Sequence, residues 1–142
     1  MNDHYNLQRF LDAQESDYAT ALAEIKSGRK RSHWMWYIFP QIQGLGFSET
    51  SKYYAIKNLG EARAYLAHPV LGTRLAQISC VLLSLPGNNP TQVFGSPDDM
   101  KLKSCMTLFA SVPGTVNLFQ QVLDKYFTGE KDARTLQLIG QM

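Results

Sequence analysis

The sequence predicts an all-α fold: one compact domain over residues 1–142, with about seven or eight helices, several of them short. Three observations predict it. Apolar residues recur at helical spacing in segment after segment. No segment alternates apolar and polar residues in the manner of a half-buried strand. Capping residues open most of these segments, and glycine or proline closes them. A chain of 142 residues suits one domain, and a domain of that size buries roughly 68–70% of its unfolded surface. The composition, 44% apolar and 18% charged, is globular.

Asn6 is placed to cap a first helix carrying Leu7, Phe10 and Leu11. Ser16 to Lys26 puts Tyr18, Ala21, Leu22 and Ile25 on one face, and Gly28 ends it. A helix begun near Ser32 stops within about two turns, because Pro40 pushes Phe39 out of the α region. Residues 41–47 read as a loop, and Ser48 or Thr50 caps a short helix over Ser51–Lys57. Asn58-x-x-Glu61 resembles a capping box for a helix over Glu61–Ala67. After the break at His68-Pro69, Pro69–Leu85 reads as the central buried helix, with Val70, Leu71, Leu75, Ile78 and Leu82 on its wide face.

Pro90 opens a short helix through Phe94, which Gly95 ends. Ser96-Pro97-Asp98-Asp99 supplies a cap, a first-position proline and acids in the first turn of the next helix, which Pro113-Gly114 stops. Thr115 caps a helix with the stripe Val116, Phe119, Val122, Leu123 and Tyr126. A final helix spans about Ala133 to Ile139.

The net charge of +2 argues little about partners. Lys26, Arg29, Lys30 and Arg31 form one basic cluster. It reads either as a solvated turn or as an anion-contacting rim, and it is too small to imply nucleic acid. Cys80 and Cys105 fall in apolar helical patterns and read as reduced, buried thiols, which suits the cytoplasm. The N-terminal MNDHYNLQRF has no apolar signal region. No apolar run approaches a membrane span. A homo-oligomer stays open.

Chemistry concentrates in two places. On the helix after Ser96, at ~100° per residue from Lys101, Leu102, Cys105, Met106, Leu108, Phe109 and Val112 fill an arc from about −20° to about +140°. Asp98 and Lys101 lie inside that arc, and Lys103, Ser104, Thr107 and Ser111 lie opposite. A carboxylate and an ammonium pointing with apolar side chains form either a structural ion pair or a site. As a site, Lys101 would hold phosphate or carboxylate, and Asp98 would act as acid, base or stabiliser of positive charge.

The second place is SHWMWYIFPQIQGLG, residues 32–46. Its first half is apolar on every side of a helix, so it must be buried all round or face a cleft. Trp34, Trp36 and Tyr37 are candidates to stack on a ligand ring, against the plain alternative of a core plug. His33 is a candidate catalytic group or a local cap. Gly44 and Gly46 allow close approach to a ligand, or simply a loop. Tyr53 and Tyr54 are adjacent on a short helix and cannot both face inward. No His, Cys, Asp or Glu set has metal-ligand spacing, and no cofactor is implied.

HWMWYIFPQIQGLG, EARAYLAHPVLGTRL and VFGSPDDMKLKSCMTLF together resemble the domain-of-unknown-function 1810 family over about residues 7–138. Some of that family's members carry a calpastatin-like label. The resemblance implies an all-helical fold and supplies no reaction. The order of a Tyr-Tyr helix, an EA-rich helix and D-x-x-K-x-x-x-x-M is also similar to the NADAR (NAD- and ADP-ribose-associated) fold, whose members cleave N-glycosidic bonds. That similarity implies roles for Tyr53, Tyr54, Asp98, Lys101 and Met106. The NADAR pattern Glu-His-Tyr-Tyr is Ser51-Lys52-Tyr53-Tyr54 here, without the glutamate.

The resulting expectation is a pocket for a nucleotide-like or ribosylated small anion. Trp34, Trp36 or Tyr37 would stack, Lys101 and the basic rim would hold phosphate, and Asp98 with His33 would support N-glycosidic cleavage. The alternative is a non-catalytic binding or protein-interaction domain. A single pocket requires Asp98 and Lys101 to lie within about 20 Å of Trp34 and Trp36, roughly the length of a strand.

Overall fold

The computed structural model describes residues 4–140. Among them are nine helices: α1 (Gln8–Lys26), α2 (Met35–Ile38), α3 (Glu49–Tyr54), α4 (Leu59–Ala67), α5 (Leu71–Ser84), α6 (Pro90–Phe94), α7 (Asp98–Ala110), α8 (Leu118–Phe127) and α9 (Ala133–Gly140). No strand occurs among the described residues. One parallel bridge joins Ile42 to Ile56. The fold is all-α, with two helices of six and four residues around the aromatic run.

The first two predicted segments are one continuous helix. Residues 12–15, Asp-Ala-Gln-Glu, contain no breaker and three good helix formers, so nothing interrupts α1. Several capping expectations are met. Ser48 accepts from the Ser51 N–H to start α3, and Asn89 accepts from the Thr91 and Gln92 N–H groups to start α6. At α4 half the capping box forms: Asn58 Oδ1 accepts from Glu61 N–H at 2.9 Å. The Glu61 carboxylate turns elsewhere, accepting from Lys57 N–H and from Arg9. His68 caps α5 through Nδ1, which accepts from Val70 and Leu71 N–H. Ser96 and Thr115 make no cap. The helices start later, at Asp98 and Leu118, which leaves Val116 outside the helix and exposed.

The most buried helix is α7 rather than α5. Its supposedly outward residues Lys103, Ser104 and Thr107 are buried too. The segment leading into α9 covers them and supplies their partners. Lys103 pairs with Glu130. Thr107 Oγ1 donates to Lys103 O and accepts from Asp132 N–H. Asp132 also accepts from Ser104 Oγ and from Thr135 N–H, which caps α9. A buried hydroxyl costs little once hydrogen-bonded, so α7 sits inside despite its polar face. Of the two thiols, only Cys105 is buried; Cys80, on α5, is exposed.

Aromatic rings run through the centre of the core. Phe10 of α1 meets Tyr65 of α4 at 5.1 Å, Tyr65 meets Phe109 of α7 at 5.4 Å, and Phe109 meets Phe119 of α8 at 5.8 Å. Arg9 pins α1 to the α3–α4 junction. Its guanidinium donates to the carbonyls of Tyr5, Asn6, Tyr53 and Ala55 and to Glu61, using every N–H it has.

Candidate functional site

Residues 34–46 divide between core and cavity. Trp34 is buried, 1% exposed, and packs on Phe39. Its indole N–H donates to Glu24 Oε1 at 3.0 Å. Glu24 also accepts from Ser32 Oγ and from the Arg31 and Ser32 N–H groups. Burial raises the Glu24 pKa, but these hydrogen bonds, led by Ser32, outweigh it and hold it at about 2. Trp34 is therefore a core residue fastened to α1, and its ring has no face left for a ligand.

Trp36, two residues on, projects the other way. It lines a cavity of about 490 Å³ together with Gln41, the loop from Gln43 to Phe47, Tyr54 and Leu138 of α9. Ligand pockets commonly span roughly 300–1,000 Å³. The loop is held closely. A Cβ at Gly46 would stand 2.5 Å from Ser51 and 3.1 Å from the Trp36 ring, so only glycine fits. Gly44 has φ +103 and faces Leu138. Backbone bonds Gln43 N–H to Ile56 O and Ile56 N–H to Gln41 O clip the loop to the end of α3. Phe47, at the rim, is 86% exposed.

Gln41 is the unusual member. The residue is 5% exposed, yet its side-chain nitrogen is buried with no hydrogen-bond acceptor. Leaving such a donor unpaired costs about 1–3 kcal/mol. Lys52 also lines this cavity, and among the described residues no aspartate or glutamate does.

Behind Trp36 stands a charge bridge. Asp98 Oδ1 meets Lys101 Nζ at 3.0 Å, and Asp98 Oδ2 meets Lys30 Nζ at 2.9 Å. Each ammonium also lies over an indole: Lys101 is 4.3 Å from the Trp36 ring centroid, and Lys30 is 5.0 Å from that of Trp34. Burial raises the Asp98 pKa, but hydrogen bonds from Lys30 and then Lys101, with their charge, hold the carboxyl below its ordinary range. Lys30 thus leaves the basic cluster and is nearly buried, with Ser32 O as a further acceptor.

The expected site residues separate accordingly. Asp98, Lys101 and Trp36 come together, well inside the separation a single pocket allows. Asp98 and Lys101 nevertheless do not line the cavity. His33 is exposed, its ring takes no part in the Asp98 bridge, and its carbonyl accepts from Tyr37. Tyr37 is removed from the cavity wall: its hydroxyl donates to Asp17. Burial, then that bond, raise the Tyr37 pKa. Tyr54 lines the cavity, stacked among Phe10, Tyr37 and Tyr53, whereas Tyr53 is 56% exposed. Met106 is core. Sequence reasoning placed Lys30 in the basic rim but missed its pairing with Asp98, and it missed Gln41 and Leu138 altogether. The only signals were the adjacency of Gln41 to Pro40 and of Lys30 to the aromatic run.

The described residues hold no group of three or more His, Cys, Asp or Glu side chains able to bind a metal ion. No single described helix is long and apolar enough to cross a membrane.

Fold and cavity together define a class: an all-helical domain in which two short helices, α2 and α3, frame a small-molecule-sized cavity. The chain belongs to the family described as "Protein of unknown function (DUF1810)", which matches residues 4–139. It is similar to a solved structure, a conserved hypothetical protein from Mycobacterium tuberculosis. The two chains share 43% identity over 97% of this chain and 99% of the other, with a TM-score of 0.95. No curated protein matches the chain.

Proposed function

We propose that the cavity beside Trp36 binds a nucleotide-like small molecule, with a planar ring against the indole and a hydrogen-bond acceptor on Gln41. The observation that carries this reading is the Gln41 amide nitrogen, buried in the cavity wall without a partner. A native protein retains an unpaired buried donor where something else satisfies it. The volume and the aromatic walls support a ligand of nucleotide size.

Binding is the better-supported reading than N-glycosidic cleavage. Asp98 is ionised, but two ammonium groups already neutralise it. A carboxylate so paired adds little to the stabilisation of an oxocarbenium ion. It also lies outside the cavity wall. The distant NADAR similarity leaves a ribosylated ligand among the compounds to test.

The test is a thermal-shift screen of mononucleotides, ADP-ribose and sugar phosphates on wild type and Gln41→Met. A ligand at 100 times its Kd stabilises by about 2.7 kcal/mol, a rise of several degrees in Tm. Gln41→Met should leave the unliganded protein as stable or more so, since it removes the unpaired amide, and should abolish the ligand shift. A flat screen on wild type, or an undiminished shift in Gln41→Met, overturns the proposal in favour of a protein-interaction domain.

A further inference from the structure

We infer that Lys101 sets the charge preference of this cavity through the Trp36 ring, so that the pocket takes planar carboxylates or phosphates and rejects planar amines. The inference rests on the binding reading above and specifies its ligand class.

An indole has two faces. Lys101 stands over one, 4.3 Å from the ring centroid, and Trp36 lines the cavity while Lys101 does not. A cation on one face draws π-density toward itself, which weakens the attraction of the opposite face for a second cation and strengthens it for an electron-rich or anionic ring. An aromatic wall is ordinarily a good seat for ammonium ligands; this one already carries the Lys101 ammonium. Three further observations point the same way. The unpaired group on Gln41 is a donor, so it seeks an acceptor. Among the described residues, Lys52 is the one charged side chain lining the cavity, and it is cationic. Asp98 faces away, held by Lys30 and Lys101, so its charge is spent within the bridge.

Asp98 also fixes Lys101 in place. The i, i+3 pairing on the first turn of α7 directs the ammonium back over Trp36. Lys101 is thus a positioning residue: it does not line the cavity and acts through the ring.

The test uses three probes with the same ring: indole-3-acetate, 3-methylindole and tryptamine, titrated by calorimetry and followed by amide chemical shifts of the cavity residues. For wild type, the acid should bind about tenfold or more tighter than the amine, as expected for one ammonium acting across a ring in a partly desolvated site. Lys101→Met should bring acid and amine close together while leaving the neutral probe little changed. Lys101→Arg, whose guanidinium also stacks on aromatic faces, should restore the preference.

Tryptamine binding as tightly as the acid to wild type overturns the inference but leaves the pocket standing. An unchanged acid preference in Lys101→Met assigns it to Lys52 and likewise overturns the role of Lys101. Failure of all three probes to bind overturns the pocket reading and the inference with it. If Lys101→Met does not fold, Lys52→Met decides: an acid preference that survives it keeps the role of Lys101, and one lost with it overturns that role.

Discussion

Replacing Arg9 by methionine should be among the most damaging single changes in this protein. Arg9 and Glu61 are 3% and 0% exposed, with Nη2 and Oε2 2.7 Å apart. The substitution keeps the length of the apolar stem but leaves Glu61 as a buried charge with the Lys57 N–H as its one remaining donor. It also strips the carbonyls of Tyr5, Asn6, Tyr53 and Ala55 of their guanidinium donors. Breaking a buried pair from one side costs about 3–5 kcal/mol. At roughly 3 °C per kcal/mol for a chain of this size, Tm should fall by about 10–15 °C. Urea unfolding followed by circular dichroism measures it. The double variant Arg9→Met/Glu61→Leu should recover more than half of the loss, because it removes the stranded charge. Two of the carbonyls end α3, which carries Tyr54, so Arg9→Met should also shift the amide resonances of the cavity wall. A loss below about 1 kcal/mol, or a double variant no better than the single one, would refute the assignment of this pair as a buried pin.

Two further outcomes follow from Glu24 and from the two thiols. The Glu24 pKa is lowered in the folded state, from an ordinary 4.5 to about 2. Its contribution to stability is therefore complete above pH 4.5 and is lost as pH falls toward 2. Glu24→Gln should flatten the acid limb of a stability-versus-pH curve in that window and cost about 1–2 kcal/mol at pH 7, discounted for partial exposure; an unchanged acid limb counts against the hub. The two thiols should also differ. Cys80 is exposed, while burial pushes the Cys105 thiol well above its ordinary pKa. A thiol-disulfide reagent at pH 8 should modify one cysteine in the native protein and both in denaturant, and two native thiols at comparable rates would contradict the burial of α7.

What the sequence made readable depended on how near in the chain the partners lay. The caps at Ser48, Asn58 and Asn89 join residues two or three apart, and such bonds are visible as local pattern. Asp98 and Lys101 share a helix face, so their contact was also readable. Lys30 was not, since its partner Asp98 comes from a distant helix. The polar side of α7 misled for the same reason: Glu130 and Asp132, which satisfy it, belong to a segment whose docking no periodicity reveals. Trp34 and Trp36 show the limit within one short run. Both are apolar and only two residues apart, yet Glu24 on α1 claims one indole and leaves the other to the cavity.

The frame of the cavity is built from pieces that cannot stand alone. Helices of four and six residues, α2 and α3, are far below the ~12–15 residues at which an isolated helix is even marginal in water. Trp36 is held by Lys101 on α7, Gly44 faces Leu138 on α9, and Tyr54 rests on Phe10 of α1. Each wall is borrowed from a different end of the chain. No excised peptide spanning residues 32–57 would reproduce the pocket, because Leu138 of α9 and the supports on α1 and α7 lie outside it. Occupancy would then slow hydrogen exchange in α1, α7 and α9 as well as at the cavity itself.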